Sequence, residues 1–273
     1  MIQRLLSLSD PVVIAHRGGS KVRPENTMMA FDHAATLGVD GLECDVHLSR
    51  DDEPVVIHDA TLDRTTDAAG PVAGRTADEL ARVDAGARFG EHDGAPYRGR
   101  GEGVPRLEHV LRRHDNLPMV IEIKGDDPRA AERTLDVVRA CRAEERVIIG
   151  GFSHAVLSAV RRQAPEIPTS ASRLEVQAAV RRSLFRLRPR ATGFRLVQAP
   201  FRFRGRQVFG GPFVRAVRRG AWPLHAWIVD DPADMKQLLA WGVTGLISDR
   251  PDLAMEIVGE TRRRNGDRPD SNS

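Results

Sequence analysis

The most chemically informative stretch of this chain alternates carboxylates with apolar side chains. Residues 41–48 read GLECDVHL, and at strand period Glu43, Asp45 and His47 share one face while Cys44 points to the other. Ionised carboxylates that are held together inside a fold need a cation or protons. Two carboxylates side by side on a rigid strand suit a hard ion such as Mg²⁺ or Ca²⁺. The stretch therefore predicts a divalent-cation site.

A second strand follows this run after a short polar turn. Residues 49–53 (SRDDE) are turn-forming, and residues 54–59 (PVVIHD) are typical of a strand. A link this short leaves no room for a crossover helix, so the two strands are predicted to be antiparallel. If the turn is centred on residues 51–52, His58 lies opposite Asp45, and a slip of one or two residues still leaves its imidazole beside the carboxylates.

The rest of the chain alternates strand-like and helix-like segments. Strands separated by helices are expected to begin near residues 12, 41, 119, 146, 168, 193, 223 and 245. This number of β/α units in 273 residues predicts an α/β fold, a TIM-type (β/α)₈ barrel, with the strand at residue 54 as an antiparallel extra. A doubly wound open sheet is the alternative, but no glycine-rich phosphate-binding loop supports it.

Polar residues fall where such a barrel places its chemistry, at the carboxyl ends of the strands. Each of four predicted strands contributes a pair: His16 and Arg17, Glu43 and Asp45, Glu122 and Lys124, and Asp249 and Arg250. Residues 60–103 interrupt the alternation and are predicted to be a small insertion after the hairpin, over one end of the fold. Within it, Thr76 and Glu79 form a capping box that predicts a short helix from Thr76 to Val83.

The length fits one large α/β barrel or two medium domains. With the eight β/α units we predict a single catalytic barrel domain over residues 1–265, followed by a disordered polar tail at residues 266–273. Net charge is +3, yet Val176 to Val229 contains twelve arginines and no acidic residue. Such tracts can bind phosphate-rich partners. The chain has only three lysines, so the arginines of this tract partly reflect a preference for arginine over lysine in the whole sequence. We therefore predict no nucleic-acid partner.

Three features predict a cytoplasmic protein. No apolar run approaches the length of a membrane span. Residues 1–8 are too short for a secretory signal, because the first core strand begins at Val12. Cys44 and Cys141 are predicted to be small core or near-core residues and not a disulfide, which agrees with a reducing compartment.

Five motifs in order along the chain resemble those of the glycerophosphodiester phosphodiesterase family. They are HRGG at 16–19, RPENT at 23–27, ECD at 43–45, VVIHD at 55–59 and IEIK at 121–124. Further similar features are LDRTT at 62–66, VPRL at 104–107, QAP at 198–200, Trp227 and SDRP at 248–251. The resemblance extends from Val12 to about Val258, and the number and order of the motifs make it specific.

The resemblance implies a (β/α)₈ barrel that hydrolyses glycerophosphodiesters to glycerol 3-phosphate and an alcohol with one divalent cation, Ca²⁺ or Mg²⁺. Carried over residue by residue, it implies metal ligation by Glu43, Asp45 and Glu122, general acid/base catalysis by His16 and His58, and phosphate binding by Arg17 and Lys124. These roles suit a phosphodiester, whose charge must be neutralised and whose leaving oxygen must be protonated. The nucleophile is either water or the neighbouring glycerol hydroxyl.

Three further residues are candidates for binding the substrate. Glu25 and Asn26 either contact it or only cap the first helix and order the loop before it. Trp227 either forms a wall of the glycerol pocket or is a core aromatic of the barrel.

An alternative function rests on residues 201–206 (FRFRGR), a loop expected on the catalytic face. Through Phe201, Arg202, Phe203 and Arg204 it would contact an anionic membrane, and the enzyme would act on lysophospholipids as a lysophospholipase D. An ordinary loop of an arginine-rich protein is the favoured interpretation. A non-catalytic anion-binding barrel is expected to lack a ligand or a histidine, and none is missing here.

Overall fold

The computed structural model describes residues 1–185, 187 and 192–266. The strands are β1 (Val12–Ala15), β2 (Gly41–Leu48), β3 (Pro54–Val56), β4 (Met119–Ile123), β5 (Val147–Gly150), β6 (Val197–Pro200), β7 (Arg202–Phe203), β8 (Arg206–Gln207), β9 (Leu224–Trp227) and β10 (Gly245–Ser248). The helices are α1 (Met28–Thr36), α2 (Ala77–Leu80), α3 (Leu107–Arg113), α4 (Pro128–Ala140), α5 (His154–Gln163), α6 (Arg173–Leu184), α7 (Gly211–Arg219), α8 (Pro232–Trp241) and α9 (Pro251–Gly266). The predicted disordered tail lies outside the described residues, apart from Gly266, which ends α9.

A curled parallel sheet with the order β5-β4-β2-β1-β10-β9-β6 forms the centre of the fold, and β3 pairs with β2. The sheet edges at β5 and β6 are joined by residues 168–171, where the sequence predicted a short strand. There, Ser170 N–H donates to the Ile149 carbonyl and Ala171 N–H to the Leu196 carbonyl, both at 2.9 Å. This segment forms isolated bridges and no regular strand, in part because Pro168 has no N–H to donate. The TIM-type fold predicted from the alternation is confirmed.

Apolar side chains pack in two layers, one inside the curled sheet and one between the sheet and the helices. Along β1, Val12 and Ile14 belong to the inner cluster, whereas Val13 and Ala15 belong to the outer one, as strand alternation requires. The inner cluster includes the fully buried Leu5 from the amino-terminal segment. Burying a side chain of this size contributes about 1.5–3 kcal/mol to stability.

The same alternation along β2 sets the orientation of the carboxylates. Leu42, Cys44 and Val46 lie in the outer cluster, and the Cys44 sulfur lies 3.7 Å from that of Met119. The intervening Glu43 and Asp45 must therefore point to the inside of the barrel.

The hairpin register differs by one residue from the expectation. Leu48 pairs with Pro54 and Val46 with Val56, so Ile57, and not His58, lies opposite Asp45 and donates to its carbonyl at 3.0 Å. The five-residue turn is centred on Asp51. It is made possible by Asp52, which adopts a left-handed φ of 58°, a conformation that aspartate tolerates better than most residues.

Leu62, Val72 and Leu80 of residues 60–103 form a small apolar cluster with Val55 and Ile57 of the hairpin. The capping box of Thr76 and Glu79 is present, as predicted. The helix that it starts, α2, ends at Leu80 and not at Val83. The Leu80 carbonyl accepts a hydrogen bond from Val104 N–H at 3.2 Å, which connects the end of the segment to this helix.

Cys44 and Cys141 are both free, as expected. Among the described residues, no helix combines the length and the apolar character needed to cross a membrane.

A close approach inside the barrel predicts a large stability effect at Gly245. A β-carbon there would lie 2.4 Å from Cδ2 of His225, a fully buried ring whose Nε2 donates to the Leu5 carbonyl at 2.9 Å. Gly245→Ala is expected to lower the free energy of unfolding by about 1–3 kcal/mol, because the ring has no free volume to move into. Urea denaturation measures this change.

Gly259→Ala in α9 is the matched control, since a β-carbon there meets only Arg263 Nη1, at 3.6 Å. This variant is expected to be neutral or stabilised by about 0.5–1 kcal/mol. A Gly245→Ala protein as stable as the wild type would contradict the packing described.

Candidate active site

A pocket of about 520 Å³, including its open mouth, lies at the carboxyl ends of the strands. Seven of the residues predicted for the site line it: His16, Arg17, Glu43, His58, Glu122, Lys124 and Trp227. Its wall is completed by Val120, Gly150, Gly151, Phe152, Gln198, Ile228 and Ile247. Predicted residues from distant parts of the sequence are therefore brought to one cavity.

Three carboxylates form a compact cluster at the pocket. Glu43, Asp45 and Glu122 offer oxygen atoms that all lie within 4.8 Å of one another. Asp45 and Glu122 are direct neighbours in the β2–β4 register, and Glu43 and Asp45 share the inward face of β2. Adjacent parallel strands thus supply a rigid base for the cluster.

The cluster carries negative charge that its neighbours do not fully offset. Burial, together with Asp45, raises the pKa of Glu43 to about 8. Burial also opposes the ionisation of Asp45, but Lys124 and Arg17 outweigh it and lower that pKa to about 2. Asp45 Oδ1 is buried and lies 2.8 Å from Lys124 Nζ. A compact set of buried carboxylate oxygens that repel one another fits a hard divalent cation.

His16 lies in the 3₁₀ turn His16–Gly18 that directly follows β1. Its Nδ1 lies 2.6 Å from Asp249 Oδ1, and its Nε2 lies 3.9 Å from Glu43 Oε2. Burial lowers the pKa of His16, but Glu43 and Asp249 outweigh it, and the net shift is upward. Asp249 was noted in the sequence only as a strand-end residue, and the structure shows that it orients this imidazole.

His58 is oriented in the same way by its neighbour in the chain. Its Nδ1 lies 2.6 Å from Asp59 Oδ1, and its carbonyl lies 3.0 Å from His47 Nε2. Burial, Arg17 and Lys124 lower the pKa of His58, against the opposing effect of Asp45. In both histidines a carboxylate holds Nδ1, which leaves Nε2 for chemistry.

Two cationic side chains, Lys124 and Arg17, border the carboxylate cluster. Lys124 Nζ lies 2.6 Å from Glu122. The Arg17 backbone N–H donates to Glu43 at 2.9 Å, and its guanidinium lies 3.0 Å from Asp45. Arg17 has a left-handed φ of 52° and is followed by Gly18 at 81°, where a β-carbon would lie 2.7 Å from that of Ala30. Only glycine allows the chain to turn here and bring Arg17 to the pocket.

The structure places Glu25 and Asn26 behind the pocket wall and not on it. Asn26 is buried, and its Nδ2 donates to Asp45 at 2.9 Å. Glu25 accepts from Arg17 at 2.9 Å. The side-chain cap of α1 is Thr27, so neither residue caps the helix. Both side chains therefore order the loop and hold other site residues.

Part of the pocket wall is apolar. Trp227 packs edge-on against Phe152, with ring centroids 5.8 Å apart, and Ile228 lies beside them in the pocket lining. Phe152 and Gln198 were not predicted as site residues. For Gln198 the signal was the QAP motif at the end of a strand, whereas for Phe152 no pattern indicated a role.

The structure contradicts part of the predicted membrane loop. Phe201 is 1% exposed and packs on Phe209 and Trp241, because its N–H continues the ladder to Trp227 and turns the ring inward. Arg202 pairs with Asp234 at 2.6 Å. Phe203, at 61% exposure, remains on the surface with Arg204 stacked over its ring.

A model of the glycerophosphoryl diester phosphodiesterase family matches residues 16–253. The chain belongs to this family. It is 35% identical over 252 residues to a glycerophosphodiester phosphodiesterase from Caldanaerobacter subterraneus subsp. tengcongensis, covering 90% of this chain and 97% of that protein.

Solved structures of the family have the same fold. A putative glycerophosphoryl diester phosphodiesterase from Silicibacter pomeroyi is similar with a TM-score of 0.79 and 26% identity, over 96% of this chain and 97% of that chain. An Oleispira antarctica phosphodiesterase, solved with the product sn-glycerol-3-phosphate, is similar with a TM-score of 0.77 and 24% identity, over 91% of this chain and 97% of that chain.

Proposed function

We propose that this phosphodiesterase hydrolyses glycerophosphodiesters to glycerol 3-phosphate and an alcohol, with the help of one divalent cation, Ca²⁺ or Mg²⁺. The observation that carries the proposal is the joint presence, in one pocket, of the carboxylate cluster and two histidines, each held at Nδ1 by a carboxylate. Membership of the family supports the reaction class. The product seen with the Oleispira antarctica protein supports the glycerophosphate half of the substrate.

The residues divide the work by charge. Glu43, Asp45 and Glu122 would hold the cation, which when bound neutralises charge on the nonbridging phosphate oxygens. Arg17 and Lys124 bind the same phosphate, the first as a planar fork and the second as a point charge. The side chains of Arg17 and Lys124 both lie within 3.0 Å of the carboxylate cluster, so they are positioned before substrate arrives.

The two histidines move the protons. One Nε2 takes a proton from the nucleophile, a water molecule or the neighbouring glycerol hydroxyl, and the other gives a proton to the departing alcohol oxygen. If the glycerol hydroxyl attacks, the first product is a cyclic phosphate, and water then opens it with the proton roles reversed. Asp249 and Asp59 stabilise the positive charge that forms on each ring.

The apolar wall suits the uncharged part of the substrate. Trp227 and Phe152, in edge contact, would pack against the carbon atoms of glycerol. A pocket that is lined by both apolar and charged side chains favours one orientation of the substrate.

Release of glycerol 3-phosphate from glycerophosphocholine tests this function. We expect release with Ca²⁺ or Mg²⁺ and its loss on addition of EDTA. Absence of release with either ion would overturn the proposed substrate, and unchanged release in EDTA would overturn the proposed role of the cation.

The second predicted substrate class, lysophospholipids at an anionic membrane, would depend on the part of the loop that is exposed, Phe203 beside Arg204. Phe203→Ser is expected to reduce co-sedimentation with vesicles of anionic phospholipid severalfold, because a lone aromatic supplies the apolar contact. Leu8→Ser, an exposed apolar residue before β1, is the matched control. Wild-type protein that stays in the supernatant would exclude this candidate.

A further inference from the structure

Arg64 joins two carboxylates at the edge of the pocket. Its Nε donates to Asp59 Oδ2 at 2.6 Å. Its Nη1 and Nη2 donate to the two oxygens of Glu25 at 2.8 and 2.7 Å. A guanidinium is suited to this task, since its rigid fork presents donors on two sides at once.

Each of these carboxylates holds a residue that lines the pocket. Asp59 lies 2.6 Å from Nδ1 of His58, and Glu25 accepts from Nη1 of Arg17 at 2.9 Å. These contacts form a continuous network that begins at His58 and ends at Arg17. Between them lie Asp59, Arg64 and Glu25. The ends of this network are the proposed general acid/base and the proposed phosphate-binding residue.

Arg64 favours the ionised form of both carboxylates. Burial opposes the ionisation of Glu25, but Arg64 and Arg17 outweigh it and lower its pKa. Arg64 is also the largest cause of the lowering of the Asp59 pKa to about 2. Both carboxylates are therefore ionised acceptors. If Arg64 were absent, Asp59, which is about one-third exposed, would be free to turn to water and would no longer fix the ring of His58.

Stability alone gives little reason for these contacts. The Arg64 side chain is 47% exposed, and exposed ion pairs contribute only about 0–1 kcal/mol. The specific result of the network is the mutual placement of His58 and Arg17, which lie in different loops.

We propose that Arg64 is a positioning residue that fixes His58 and Arg17 relative to each other, and that residues 60–103 act on the reaction through this side chain. The inference rests on the proposed function. It assigns Arg64 no contact with substrate. It gives residues 60–103 a role in positioning the catalytic groups, in addition to their predicted place over one end of the fold.

Kinetics of Arg64→Ala with glycerophosphocholine test the proposal, with Arg50→Ala as the matched control. Arg50 is 53% exposed, pairs with Glu79 and donates to the Gly74 carbonyl, so it also anchors the 60–103 segment but lies outside the network. We expect Arg64→Ala to lower kcat/KM about 10–100-fold, the range for loss of a residue that orients a site group. Arg50→Ala should stay within about twofold of wild type, with a similar Tm for both variants.

Two further measurements separate positioning from a loose fold. Added guanidinium ion, below denaturing concentration, should restore part of the activity of Arg64→Ala and should leave the activity of Arg50→Ala unchanged. Only the first variant leaves a vacant site between two carboxylates. Arg64→Lys should be intermediate, since one ammonium group replaces a fork that binds both carboxylates.

Each outcome decides the proposal. Loss in Arg64→Ala with guanidinium rescue supports it. Full activity in Arg64→Ala, or an equal loss in both variants without rescue, overturns it while leaving the proposed function intact. A wild-type protein that releases no glycerol 3-phosphate overturns both.

Discussion

Replacing His16 with alanine is expected to lower kcat for glycerophosphocholine by about 10²–10⁴-fold, the contribution of a positioned general acid or base. His16 is 8% exposed and lies between Asp249, 2.6 Å from Nδ1, and Glu43, 3.9 Å from Nε2. No other described histidine is placed between two carboxylates at the pocket, so none can take its role. A coupled assay for glycerol 3-phosphate at saturating cation measures the effect.

His109→Ala is the matched control, because His109 is exposed on α3 away from the pocket lining. It should retain wild-type kcat. Asp249→Asn should lower kcat less than His16→Ala does, since the amide keeps a hydrogen-bond partner for the ring but loses the charge. A His16→Ala enzyme within tenfold of wild type would exclude His16 as a proton donor or acceptor in the reaction.

Replacing Glu43 with glutamine is expected to have opposite effects on activity and on the stability of the metal-free protein. Activity should fall because one of three clustered carboxylates is lost as a cation ligand. Calorimetric titration should show Ca²⁺ or Mg²⁺ affinity reduced by more than the roughly 10–100-fold that follows loss of an outer partner. Addition of EDTA to the wild type should remove activity in the same way.

The metal-free protein, in contrast, should gain stability from Glu43→Gln. The substitution removes a buried carboxylate whose pKa burial and Asp45 raise to about 8. An acid whose pKa is higher in the folded than in the unfolded protein destabilises the fold at every pH above its unfolded pKa. A gain of about 1 kcal/mol corresponds to a Tm higher by roughly 2–4 °C for a domain of this size.

Glu132→Gln on α4, at an exposed residue outside the pocket lining, is the control and should change neither affinity nor Tm. If Glu43→Gln bound cations as the wild type does, the carboxylate cluster would not be the cation site. If it lowered the Tm of the EDTA-treated protein, the repulsion argument would be wrong.

The sequence by itself determined the features that depend on periodicity and order. Alternation along residues 41–48 was enough to place Glu43 and Asp45 on one face, because neighbouring side chains on a strand must point to opposite sides. The succession of β/α units predicted the barrel, since parallel strands need crossovers. The barrel in turn brought His16, Glu122 and Lys124 to one end. Each of these inferences uses only local geometry and one rule of topology.

Tertiary structure alone decided which side chains pair. His16 and Asp249 are 233 positions apart, and no local pattern records that two loops meet at a given atom. The one-residue shift of the hairpin followed from a left-handed φ at Asp52, which the residue type permits but does not require. Phe201 is buried because its N–H continues the ladder to Trp227 past β6, whereas Phe203 belongs to the separate β7–β8 pair and stays exposed.

In the network through Arg64, too, the sequence determined which residues are present and the tertiary structure decided which of them are in contact. The sequence contained Arg64, Asp59 and Glu25 within motifs typical of the family, yet gave no reason to connect them. Their contacts depend on how the loop after β1, the end of the hairpin and the inserted segment fold against each other. The direction and length of a charged side chain are set by partners that only the folded chain supplies.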